Sequence, residues 1–161
     1  MMVKARERLL VLRFCNYKKH DFLSEHRAFL EKEGVSWFLK LGKLVPQRVL
    51  DEILAGSKGL ILKAPKAVGG MYYYCSIIDA KNAFPDSKMN YPDYYKKLIA
   101  EMDWFSLEGT WFCVNSFIEM NSTEVSKLRL INNDRPLDEV LSQARTTMLH
   151  AYSIEDIDFS S

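Results

Sequence analysis

Paired cysteines are missing from this sequence, and that absence excludes the commonest metal and disulfide frameworks. The cysteines are Cys15, Cys75 and Cys113: an odd number, far apart, each in an apolar run. That pattern predicts free thiols in a reducing, cytoplasmic setting. A zinc site needs paired ligands at short spacing, so no metal and no cofactor is expected. Gly-rich phosphate loops are also lacking. Gly69-Gly70 stands between two strand-like runs with no helix after it, and reads as a turn. There is no G-x-S-x-G nucleophile elbow. No run approaches the roughly 20 apolar residues that span a bilayer, so no membrane partner is expected. The opening MMVKARERLL is charged and its apolar run is short, unlike a secretory leader. Glycine and proline are sparse, 7 and 5 in 161 residues, and nowhere form a linker. A single domain over residues 1–161 follows.

Apolar residues are abundant at 48%, enough for a substantial core. Net charge is only +1 but unevenly spread. Residues 1–81 carry 15 Lys+Arg against 8 Asp+Glu, and residues 82–161 carry 7 against 13. Such a split makes a positive face for an anionic partner, or disappears if the fold interleaves the two halves.

Periodicity orders the chain as β α β α β β, a long irregular stretch, then β α β. RLLVLRFC (8–15) reads as a buried strand. Phe22, His26, Phe29 and Leu30 recur at helical spacing, with Asp21 as cap and Gly34 as stop. GVSWFLKLGK (34–43) alternates, with Trp37 and Leu39 on one side and Ser36, Phe38 and Lys40 on the other. Pro46 opens a second helix, PQRVLDEIL. KGLILKAP and MYYYCSIIDA form a hairpin pair around AVGG. Residues 82–109 are irregular, with two helical turns at 93–101. GTWFCVNSFIEM (109–120) is a strand, PLDEVLSQA (136–144) a helix, and TTMLHAYSI (146–154) a closing strand. The fold class is mixed α+β, with the strands curling into a partly closed β-barrel flanked by a few helices.

Titratable residues point to no catalytic set. His26 lies on the apolar helix face and reads as a satisfied core histidine; His20 and His150 read as structural. Asp51-Glu52 and Asp138-Glu139 read as solvated helix faces. Aromatic residues carry more information. Tyr72 and Tyr74 point one way and Tyr73 the other, so one side is exposed unless both faces are covered. Lys40, Lys43, Lys58, Lys63 and Lys66 lie in or beside the same strands. Rings stack on bases and ammonium groups pair with phosphates.

Three places resemble the PUA-like superfamily, in particular its EVE, YTH-like and ASCH-related domains. SWFLKLGK followed by a helix resembles the opening Trp-bearing strand. KGLILKAP and GGMYYYCSIIDA, before a loop containing NYPDYY, resemble the two central strands. GTWFCVNSFIEM, PLDEVLSQA and RTTMLHAYSI resemble the closing strand–helix–strand with its arginine. The likeness covers roughly residues 34–157, leaving 1–33 as a family-specific strand and helix. It departs where the family carries a Gly-Val-Arg-Asn-Tyr-like stretch and this chain has LAGSKG.

The resemblance implies a bent barrel and an aromatic pocket for a modified or flipped base in DNA or RNA. By position it places Trp37, Lys40, Trp104 and Arg145 at that pocket; Lys43 and Tyr73, from the aromatic and basic strands, complete the expected ligand-binding set, without catalysis. Two other readings stay open. One is an interaction or oligomeric subunit, such as a homodimer, of a prokaryotic or phage system. The other is a small ASCH-like hydrolase or nuclease using Lys40, Lys43 and Tyr73, with Glu119 as base.

Overall fold

The computed structural model describes residues 1–40, 42–101, 108–143 and 148–159. The first helix forms where its signals sit. In α1 (Phe22–Glu33), the Asp21 carboxylate accepts the Leu23 N–H at 3.2 Å. Gly34, at φ 84°, returns its own N–H to the Leu30 carbonyl. Only glycine adopts that left-handed turn without strain. Helix α2 (Gln47–Ala55) starts after Pro46 and buries Val49, Leu50 and Ile53.

One sheet organises the molecule, in the order β3 (Ser36–Lys40), β6 (Gly109–Val114), β5 (Tyr72–Ala83), β4 (Gly59–Lys63), β2 (Leu9–Arg13), β9 (Met148–Ser153), β8 (Leu128–Leu130). Strands β2 and β4 run parallel, and the other pairs are antiparallel. A parallel pair needs a crossover, which α1, β3 and α2 supply. A two-residue strand, β7 (Ile118–Glu119), pairs with Tyr73 and Tyr74 of β5. A separate pair joins β1 (Met2–Val3) to β10 (Ile157–Asp158).

β5 makes the corner. Its first half, through Ser76, pairs with β4, and its second half, from Ile77, pairs with β6. The register slips between Ile77 and Asp79, leaving Ile78 about half exposed. A bulge of this kind bends the strand and re-aims its second half. The stretch read as one strand over 109–120 is broken at 115–117, so that β6 and β7 serve the two halves of β5 in turn.

Both faces of the central strands are covered. Leu10, Leu12, Leu60, Leu62 and Tyr73 join the core under α1, α2 and α3 (Asp93–Glu101). Leu9, Val11, Ile61, Tyr72 and Tyr74 join a second core. That core is roofed by α5 (Leu137–Gln143) and, beside it, the short α4 (Ser122–Ser126). The three consecutive tyrosines are therefore all buried, on alternating faces. The basic and acidic halves interleave, since β3 pairs with β6 and β2 with β9. No helix among the described residues is long and apolar enough to cross a membrane.

Candidate functional site

The parallel pair brings two cations to one place. Arg13 and Lys63 each end an apolar run, LLVLR and LILK, and the register sets them side by side. Tyr72 is the next partner along, opposite Lys63 on β5. Strand alternation puts all three on the face that α5 covers. The Arg13 guanidinium donates to the Leu141 carbonyl in α5. The Tyr72 hydroxyl donates to Asp138 at 2.6 Å. The Lys63 ammonium donates to the Gly70 carbonyl and lies 4.0 Å from the centre of the Tyr72 ring.

Beyond Arg13 the chain leaves β2 and runs between two hollows. The Phe14 N–H donates to the Lys63 carbonyl at 3.2 Å, and the Phe14 ring stacks on Phe22 at 4.9 Å. Asn16 pins the exit by accepting the Phe22 N–H at 2.9 Å. On one side lies an apolar chamber of about 330 Å³. Leu12, Leu62 and Phe38 line it from the sheet, and Tyr94, Tyr95 and Leu98 from α3. Lys40 is its basic lining residue next to Arg13. On the other side lies a chamber of about 500 Å³ lined by Lys63, Lys66, Asp138 and Ser142. Arg13, Phe14 and Cys15 line both, so the two share one lip.

Charge is unbalanced here. Burial pushes the Lys63 ammonium below its usual pKa; Arg13 and Lys66 push it the same way, and Asp138 opposes them. Burial alone lowers Lys40, which is 9% exposed and donates to the Lys43 carbonyl at 2.6 Å. Burial, then the bond to Asp138, holds the Tyr72 hydroxyl well above its usual range. The Tyr95 hydroxyl accepts the Leu39 N–H at 2.7 Å and donates to the Leu39 carbonyl at 3.2 Å, so it props β3.

The residues expected at a site do not all meet. Lys40 lines the apolar chamber, and Lys43 is exposed beside it, touching Lys40 through its carbonyl. Trp37 is 8% exposed and on the opposite face of β3 from Lys40. Lys81, 5.5 Å from its ring centre, covers it. Trp37 lines neither chamber. Nor does Tyr73, whose ring carries the Arg27 guanidinium at 5.3 Å and which sits opposite Glu119. Lys40, Lys43, Tyr73 and Glu119, named for hydrolytic chemistry, are thus not gathered around these chambers. Trp104 and Arg145 lie outside the described residues.

Arg13, Phe14 and Tyr17 carried no functional expectation, yet Arg13 and Phe14 form the shared lip. No local signal marks them, because Arg13 and Lys63 are aligned only by the parallel pairing of β2 with β4. His26 is wholly buried, bonded to Ser36 and Tyr94, as a core histidine should be. His150 takes a bond from Arg8 at 2.9 Å, and His20 meets Glu25 at 3.0 Å. No group of three His, Cys, Asp or Glu among the described residues could hold a metal. No protein-family model and no curated protein matches the chain.

Proposed function

We propose that this chain is a non-catalytic nucleic-acid-binding module on a PUA-like, partly closed barrel. Its apolar chamber takes one base turned out of a DNA or RNA strand, with a modified base as the preferred guest. The observation that carries this reading is the 330 Å³ chamber walled by Phe14, Phe38, Tyr94 and Tyr95, with Lys40 and Arg13 in its lining. Extruding a base costs a few kcal/mol, which burial against rings and edge hydrogen bonds must return. The bulged β5, which re-aims the second half of its strand, and the helices packed on the sheet support the barrel assignment.

The test is fluorescence anisotropy with single- and double-stranded DNA and RNA, with and without base methylation, at two salt concentrations. Binding should weaken as salt rises, because phosphate contacts release counterions. Leu98→Trp, which fills the chamber from α3, should weaken binding at unchanged Tm. Absence of binding to every oligonucleotide at low salt would remove the reading.

A further inference from the structure

We infer that the second chamber, bounded by Arg13, Lys63 and Lys66, is a phosphoryl-group site. In the bound state it holds a phosphate flanking the base in the first chamber. Register places Arg13 and Lys63 side by side at the ends of parallel strands, a costly arrangement for like charges. Lys66 joins them from the turn after β4, and its charge reaches Lys63. Among the described residues that line the chamber, Asp138 is the one carboxylate, and its Oδ1 is already engaged by the Tyr72 hydroxyl. Lys66 is exposed and makes no ion pair among the described residues.

The positions are also held in place. Arg13 is anchored on the Leu141 carbonyl, and Lys63 on the Gly70 carbonyl and the Tyr72 ring. Fixed cations with a surplus of charge beside an apolar slot suit a nucleotide, flat at one end and anionic at the other. Arg13, Phe14 and Cys15 line both chambers, so the two adjoin along that segment. The identity of the phosphate's bearer rests on the nucleic-acid reading; the anion site itself does not.

The experiment compares the wild type with Lys66→Glu and with Lys58→Glu. Lys58 is exposed at the other end of β4, so the second variant makes the same charge change away from the chamber. Lys66→Glu should weaken single-stranded oligonucleotide binding about tenfold and reduce the salt slope by about one. Lys58→Glu should move affinity less than twofold. Equal effects of the two variants would mean diffuse attraction and would overturn the site. Mononucleoside 5′-monophosphate and inorganic phosphate form the other arms, read by amide shifts at Arg13 and residues 64–70. Shifts that vanish in Lys66→Glu support the site even if no oligonucleotide binds, in which case only the base reading falls. Competition by the mononucleotide but not by its nucleoside identifies a terminal phosphate as sufficient. No shift with either phosphate compound, together with unchanged oligonucleotide binding in Lys66→Glu, refutes the site.

Discussion

The His26 ring and the Ser36 hydroxyl meet at 2.8 Å with both residues wholly buried. The other ring nitrogen meets the Tyr94 hydroxyl at 3.0 Å, so α1, β3 and α3 are tied at one point behind the apolar chamber. A neutral imidazole can donate from one nitrogen and accept at the other, which suits two hydroxyls; an imidazolium cannot accept.

Burial lowers the His26 pKa from 6.5 to about 3. The native ring is therefore neutral across the range in which the unfolded chain takes up a proton. Stability from this group is complete above pH 6.5 and falls as pH drops, by at most about 1.4 kcal/mol per pH unit. His26→Gln keeps a donor and an acceptor but does not titrate. Denaturant unfolding from pH 7 to 5 should show the wild type losing more stability than the variant. Parallel curves would mean that the ring is not held neutral.

Trp37→Ala separates a pocket wall from a core residue. Trp37 lies within the main core, on the other face of β3 from Lys40. Its removal should cost about 3–5 kcal/mol of unfolding free energy. Affinity for oligonucleotide, measured well below the variant's Tm, should stay within twofold. A large loss of affinity with little loss of stability would place the indole at the ligand after all.

Much of this was legible in local pattern. The α1 boundaries follow from Asp21 and Gly34, and α3 occupies the two helical turns expected at 93–101. The alternation of Tyr72, Tyr73 and Tyr74 also holds. Pairing at a distance was concealed. Alternation already set Trp37 and Lys40 on opposite sides of β3, and only the resemblance joined them in one pocket. Arg13 and Lys63 are 50 positions apart and meet only because β2 and β4 are parallel. The break at 115–117 answers the bulge in β5, which no local signal marks. β8 is three residues long, too short for a periodic signature.

Gly109→Ala tests how tightly β3 seats on β6. A Cβ there would stand 2.9 Å from the Lys40 carbonyl oxygen and would also strike the Leu39 side chain. The side chain can turn aside, but the backbone carbonyl must shift with its strand. The expected cost is about 1–3 kcal/mol, with binding weakened because Lys40 moves. Thermal unfolding with wild-type Tm would show that the strands have slack.

Lys40→Met sets ligand binding against stability. The aliphatic stem of Lys40 packs at the chamber while its ammonium is held by the Lys43 carbonyl, and methionine keeps most of that packing. Removing a partly desolvated charge is often neutral or stabilising, so unfolding free energy should change by less than about 1 kcal/mol at pH 7. The pH dependence gives a second reading. Because burial lowers the native pKa from 10.5, the unfolded chain holds this proton to higher pH than the native chain does. Wild-type stability should therefore rise relative to the variant as pH climbs from the lowered native pKa toward 10.5. If Lys40 contacts the guest, oligonucleotide affinity at pH 7 should fall several-fold in Lys40→Met, while the Tm holds. Unchanged affinity would assign Lys40 to packing alone.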